Sequence, residues 1–361
     1  MKVSPGGRRV AVVLAASAAL ATVSGCGHTK HQATAVTTTT TTGATTTTVP
    51  ATTTSVPKHV PVCPLTGSAP KDGHVPDRAA VAAKVENLAQ ARPQWGLDAT
   101  DIVFEEPVEG GITRFIAVFQ CHVTPRIEPV RSGRFVDLDI LKPLGRIDFA
   151  YSGAIQPVVD AVDSSPLLCD VGADRAPGAY TRDPTRVAPH NLATSTAALW
   201  SAAAALGCPN KPPAPYYQYG PLPSGGTPAH AVNIYFPLDV TTWTWHPKTG
   251  RWYRYYSDTG PAIQGDNAQI SAINVVVLRV VEYPTPYVED ETGVHENELV
   301  ETGSGPAWVF RDGEELEGTW HRATLAHPPT FTEADGTKIT LAPGNTWEEL
   351  LPTSQSISVS K

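Results

Sequence analysis

The sequence predicts a mixed α/β, or α+β, protein: an N-terminal α/β domain built on a mixed sheet, followed by a β-rich C-terminal domain. Three observations predict it. Between residues 79 and 206, short apolar or β-branched runs alternate with helical patterns. After residue 228 the apolar runs are strand-like, rich in Val, Trp and Tyr and separated by turn residues. Between the halves lies 209–228, a Pro-, Gly- and Tyr-rich stretch that reads as a linker. The domains are therefore placed at 61–208 and 229–354, and about 300 residues of body suit two domains.

Residues 1–26 read as an export signal. Lys2, Arg8 and Arg9 form a basic start, and 10–22 is apolar but short of the roughly 20 residues that span a bilayer. It closes in Val23-Ser24-Gly25-Cys26, a pattern resembling the bacterial lipobox, in which small residues fit the peptidase and the cysteine thiol is lipidated. The competing readings are an ordinary signal peptide with an incidental cysteine and an N-terminal membrane helix. Arg8-Arg9 lacks the rest of a twin-arginine motif. Residues 27–60 are Thr-, Ala-, Pro- and Val-rich with almost no charge, too poor in core-forming residues to fold, and read as a disordered tether. Lipid and tether together put the body at the outer face of the bacterial cytoplasmic membrane.

A formal net charge of -8 argues against nucleic acid or another polyanion held by bulk charge, and leaves local basic sites open. Apart from Cys26, the cysteines are Cys63, Cys121, Cys169 and Cys208. An even number in an oxidising compartment points to two disulfides, and none has the close spacing of a zinc site. Three pairings are possible.

In the first domain, 79–85, 101–105 and 112–120 read as strands, with Gly110-Gly111 as a permissive turn between the last two. A short helix follows at 135–141 and a strand at 147–151. A Pro-, Asp- and Arg-containing loop then leads to Pro189-His190-Asn191, and a helix at 196–206 is capped by Thr194 or Ser195 and stopped by Gly207. In the second domain, 231–236, 241–246 and 251–256 read as strands, 273–281 as a strand buried on both faces, and 307–310 and 318–320 as arms of a hairpin. A further turn falls at 334–337. Trp243, Trp245, Trp252 and Tyr253 suit either a sugar-stacking platform or cross-strand core packing, and the second is the commoner use.

The stretch 105–134 is the candidate site. It gathers Glu105, Glu106 and Glu109, the double glycine, and Arg114, Arg131 and Arg134 around one apolar strand, in a chain with only 17% charged residues. Arg131, Ser132 and Arg134 sit in a loop before the predicted helix, whose free N–H groups would favour an anion. Arg131 and Arg134 are therefore expected as an exposed clamp, and Arg114, within the strand, as a structural partner of Glu105 or Glu109. His190 and Asn191, just ahead of another helix start, complete the set.

These residues also carry a resemblance. Pro64-Leu65-Thr66-Gly67, Ala91-Arg92-Pro93-Gln94, Asp101-Ile102-Val103-Phe104-Glu105, Glu109-Gly110-Gly111-Ile112-Thr113-Arg114, Pro129-Val130-Arg131-Ser132, Arg134 and Pro189-His190-Asn191 resemble the YerB-type lipoprotein family. So do Asn274-Val275-Val276-Val277, Gly303-Ser304-Gly305, Val309-Phe310-Arg311-Asp312-Gly313, Gly318-Thr319-Trp320 and Pro343-Gly344-Asn345-Thr346-Trp347. The resemblance implies a membrane-anchored envelope protein with an α/β and a β domain, in a family without an established activity. The chain departs from the family pattern at Cys63 and Cys121 together, which favours their pairing and leaves Cys169 with Cys208. It also has Tyr151 near a strand end where the family tends to carry a histidine, which removes the basis for a catalytic role there.

Two function classes follow. One is a non-enzymatic binding or scaffold lipoprotein for an anionic wall polymer, a lipid-linked precursor or an envelope protein. The other is an envelope enzyme acting on a phosphorylated or lipid-pyrophosphate substrate, with the arginines on phosphate and Glu105 or Glu109 as base or metal ligand, assisted by His190. A third possibility for the same residues is an internal ion-pair network that fixes strands and loops. No serine elbow, phosphate loop or dinucleotide fingerprint is present.

Overall fold

The computed structural model describes residues 60–289 and 293–361, which fall in one unit, Lys58–Lys361. The signal segment, Cys26 and the tether up to residue 59 lie outside the described residues.

Chain order begins with β1 (Val81–Glu86), β2 (Ile102–Pro107) and β3 (Thr113–Phe119), then α1 (Phe135–Leu141), β4 (Ile147–Ala150), α2 (Gln156–Ser164), β5 (Leu168–Asp170) and α3 (Thr196–Ala205). Gly110 and Gly111 turn β2 into β3 with φ of 74° and 77°, where a side chain would be strained. Ser195 Oγ accepts the Ala198 N–H at 3.1 Å and caps α3, and Gly207 ends it at φ 74°. The region before His190, expected as loop, instead contains α2 and β5. Pro157 starts α2, and only Val158 and Val162 face the core, so the helical period is too brief to stand out.

The second half supplies β6 (Ala231–Tyr235), β7 (Val240–His246), β8 (Arg251–Tyr256), β9 (Asn274–Val288), β10 (His295–Val300), β11 (Gly303–Arg311), β12 (Glu314–Arg322), β13 (Thr330–Thr332), β14 (Lys338–Ile339), β15 (Thr346–Pro352) and β16 (Ser356–Ser360). The main mixed sheet runs β14-β13-β12-β11-β9-β15-β2-β3-β1-β4-β5, so strands from both halves share it. The junction is β15, parallel to β9 on one side and to β2 on the other. A smaller antiparallel sheet contains β8-β7-β6-β16. The 209–228 stretch, read as a linker, carries Tyr216 and Tyr217 into the core, and the Tyr216 N–H donates to the Pro64 carbonyl at 3.1 Å.

Strand alternation divides the interior. Ile102, Phe104, Ile116 and Val118 pack under α1 and α2, against Val136, Ile140, Val158 and Val162. Val103, Phe115 and Ala117 face the other way, toward Leu199 and Ala203 of α3 and toward Trp243, Trp252 and Trp347. Trp243 and Trp252 are fully buried, which settles them as core rather than platform. Removing roughly 200 Å² of apolar surface from water favours folding by about 5 kcal/mol per tryptophan, an upper bound.

The cysteines pair as Cys63–Cys121 and Cys169–Cys208. They close loops separated by 58 and 39 residues, and on the chain-entropy account each stabilises by roughly 3 to 5 kcal/mol.

Candidate functional site

Neighbouring residues of β2 point to opposite faces, so Glu105 and Glu106 enter different environments. Glu105 is buried on the tryptophan side. Its Oε1 accepts from Thr113 Oγ1 at 2.6 Å and Asn87 Nδ2 at 3.2 Å, and its Oε2 lies 2.7 Å from Arg254 Nη1. Across the β2–β15 register it faces Glu349, which accepts from Arg254 at 3.2 Å and from the Trp243 indole at 2.8 Å. Burial, then the neighbouring Glu105 charge, push Glu349 well above the usual carboxylate range against the pull of Arg254. Burial also works against the Arg254 charge, but Glu105 and Glu349 outweigh it and raise its pKa.

The other face holds the remaining carboxylates. Lys84, fully buried in β1, pairs with Glu106 and Asp137. Burial lowers the Lys84 pKa to about 8 despite Asp137, with the Arg114 and Arg134 charges adding to the fall. Glu109 receives a bidentate grip from Arg134, one arm being Nε to Oε2 at 2.8 Å, and lies 3.7 Å from Arg114 Nη2. Burial opposes its ionisation, but the Arg134 hydrogen bonds and the two arginine charges together hold Glu109 at about 2. Arg114 thus pairs with Glu109 and, through Nη1, with the Ser132 carbonyl at 3.3 Å. Glu105 is out of its reach on the opposite face. Burial, then the Arg134 charge, lower Arg114 to about 10.

Arg134 departs from its expected role as an exposed clamp. Its side chain is 2% exposed and packed among Glu109, Glu289 at 2.8 Å and Glu296 at 4.0 Å. The anion expected at the start of α1 is the protein's own: Glu296 accepts the Phe135 N–H at 2.8 Å, and Asp137 accepts the Arg134 N–H at 2.7 Å. Glu296 comes from β10, 161 positions after Phe135, so no local pattern could announce it.

Arg131 is different. Its side chain keeps 21% exposure and lies 3.3 Å from Glu86 through Nε, while the same carboxyl oxygen meets His190 Nδ1 at 2.9 Å. Asn191 acts as a pin: its Oδ1 accepts from Arg182 at 2.8 Å, and its Nδ2 donates to the carbonyls of Asp183 and Arg186. The loop it fixes walls an open groove of about 580 Å³, lined also by Arg126, Thr181, Thr185 and Ser195. Arg126 is itself tied to Glu128 and Asp183. Thus Arg131, Ser132 and His190 form a partly exposed edge beside the buried Asn191, the half-buried Glu109 meets the buried Arg114 and Arg134 on the α1 side, and Glu105 forms a separate buried pair with Arg254.

Lys84, Glu86, Arg254 and Glu349 were not singled out in the sequence. Period-2 alternation was the available signal: Lys84 and Glu86 share one face of 79–86, and Arg254 lies two positions from Trp252 on a core-facing row.

Other buried carboxylates set a pH dependence. Burial first raises Glu296 and Glu348 to about 7 and Glu301 to about 8, against Arg134, Tyr217 and Arg322 respectively among their partners. The folded state keeps these protons where the unfolded chain, near 4.5, has lost them, so stability falls as pH rises from about 4.5 toward 8. Glu109 acts oppositely, stabilising above about 4.5 and losing that contribution as pH falls toward 2. Thermal melts should therefore peak near about pH 5 and decline by pH 8. A flat or rising profile across that interval would contradict the assignment.

Two family models, described as the N-terminal and C-terminal domains of a protein of unknown function (DUF3048), match residues 65–208 and 232–347. YerB of Bacillus subtilis (strain 168), whose name labels it a lipoprotein, is 28% identical over 305 residues, covering 82% of this chain and 88% of its own. The chain belongs to the YerB-like family. A crystal structure of the YerB protein from Bacillus subtilis superposes with a TM-score of 0.70 at 22% identity, over 82% of this chain and 99% of that one. The YerB-like fold is thus an N-terminal α/β part with a mixed sheet joined to a β-rich C-terminal part.

Proposed function

We propose that this YerB-like protein is a lipid-anchored, extracytoplasmic binding module whose ligand is a polar strand with anionic groups, such as a wall polymer. The observation that carries the reading is the open groove of about 580 Å³ walled by Arg126, Arg182, Asp183 and Thr185 and held in shape by Asn191. Arg182 is exposed there with donors left after its bond to Asn191, and Arg131 stands on the neighbouring edge. The carboxylates that catalysis would require, Glu105 and Glu109, are instead engaged by arginines inside the protein. That favours binding over the enzyme reading.

The test uses the full chain. Membrane fractionation should find the wild type with the membrane and Cys26→Ser released, and retention of both would end the anchoring claim. Titration of the detergent-solubilised protein with a purified anionic wall polymer should give salt-sensitive binding that Arg182→Ala and Arg131→Ala each weaken by about tenfold. Absent binding, or variants that bind as the wild type does, would refute the ligand class.

A further inference from the structure

The two disulfides sit in unlike surroundings. Cys63 is 2% exposed, and near Cys121 the Asp101 carboxylate is already committed, accepting the Cys121 N–H at 3.0 Å and the His122 ring at 2.6 Å. Cys169–Cys208 has a carboxyl to itself. Asp148 of β4 and Cys169 of β5 are register partners in a parallel pair, and their side chains share the face covered by α3, after which Cys208 follows. A carboxyl oxygen of Asp148 and both sulfurs lie within 4.8 Å of one another. Asp148 is 2% exposed, and among the described residues its carboxyl has no hydrogen-bond or ion-pair partner. It opens into a cavity of about 400 Å³, shared with Cys208, Trp200, Asn210 and Arg78.

A buried carboxyl without a partner is destabilising, and its place against a disulfide is chemically useful. We propose that Cys169–Cys208 is a thiol–disulfide exchange site, reached through this cavity by an external dithiol, with Asp148 as the group that moves the proton. A thiolate of the dithiol attacks Cys208 Sγ, forming a mixed disulfide and breaking the Cys169–Cys208 bond. The Asp148 carboxylic acid protonates the departing Cys169 thiolate. The resulting carboxylate takes the proton of the second external thiol, which then attacks its partner sulfur and releases Cys208 as a thiolate, protonated from solvent. Two electrons pass to the protein disulfide, and the external dithiol leaves oxidised. The reverse sequence oxidises the protein's dithiol.

Burial alone pushes Asp148 up to about 7, so it can both give and take a proton near neutrality. Arg78, stacked 3.8 Å from the Trp200 ring centroid, is the other charged group lining the cavity, and its guanidinium is turned to the carbonyls of Gln120 and Cys121, which leaves Asp148 as the proton-moving group beside the sulfurs. Cys169 and Cys208 are both partly exposed, so the bond is within reach of a reductant.

The experiment is reduction of the full-length, detergent-solubilised, oxidised protein by dithiothreitol from about pH 5.5 to 8.5, with differential alkylation and mass spectrometry to time each disulfide separately. Cys169–Cys208 should open roughly tenfold or more faster than Cys63–Cys121, and its rate per dithiothreitol thiolate should inflect near pH 7. Asp148→Asn should slow it about tenfold and abolish the inflection while the circular dichroism spectrum is kept. Equal rates for the two disulfides, or an unchanged rate and profile in Asp148→Asn, would overturn the proposal. Should Asp148→Asn fail to fold, the wild-type profile decides: a thiolate-corrected rate with no inflection between pH 6 and 8 rules the role out.

Discussion

Arg254→Ala should destabilise the protein by about 3 to 5 kcal/mol and lower its melting temperature by roughly 10 °C. The side chain is fully buried, with its guanidinium against Glu105, Glu349 and, at 2.8 Å, Thr241 Oγ1. The rings of Phe115, Trp243, Tyr256 and Trp347 stand 5.0 to 5.5 Å from its central carbon and supply a favourable quadrupole without hydrating it. Alanine would leave two carboxyl groups facing each other across β2 and β15 with no cation between them. Those strands join the two halves of the sheet, so the loss falls at the seam. Adding Glu349→Gln to Arg254→Ala should recover part of it by removing one stranded acid. A single variant that melts within about 2 °C of wild type would show that this pair is not holding the seam.

Arg134→Ala should be next in size, on the order of 3 kcal/mol, measured by the same melts. Its partners arrive from three places in the chain: Glu109 from the β2–β3 turn, Glu289 beyond β9, and Glu296 from β10. Truncation removes the bidentate grip that keeps Glu109 ionised, and Arg114 at 3.7 Å is too distant to replace it. A double-mutant cycle with Glu109→Gln should return a coupling energy above about 1 kcal/mol. Additive effects would mean that the short contacts contribute little.

Much of the fold was legible because it obeys simple periods. The strands at 81–86, 102–107 and 113–119 are apolar or alternating, and α3 carries a cap and a glycine stop. What escaped was short or charged. β15 reads Thr-Trp-Glu-Glu-Leu-Leu-Pro, and its two glutamates look like surface residues, yet all seven positions are buried because the strand lies between β9 and β2. The acid-and-arginine stretch was visible as a concentration of charge, and its division was not. Whether a glutamate meets Arg254 or Lys84 depends on which sheet face it occupies and on which other strand brings a cation to that face, β1 for Lys84 and β8 of the second half for Arg254. The clamp expected from Arg131 and Arg134 failed at Arg134 for the same reason, since Glu289 and Glu296 fold over it from the second half.

The central claim is that Glu105, Glu109, Arg114 and Arg134 are chiefly an internal framework, with Arg131 the outward arm among Arg114, Arg131 and Arg134. It is tested most directly by thermal melts of Arg114→Ala, Arg131→Ala and Arg134→Ala measured side by side. Glu86 retains its His190 contact when Arg131 is cut, so Arg131→Ala should cost less than about 1 kcal/mol, while Arg114→Ala and Arg134→Ala should each cost several times as much. Equal losses for all three, or a larger loss for Arg131→Ala than for Arg134→Ala, would contradict it.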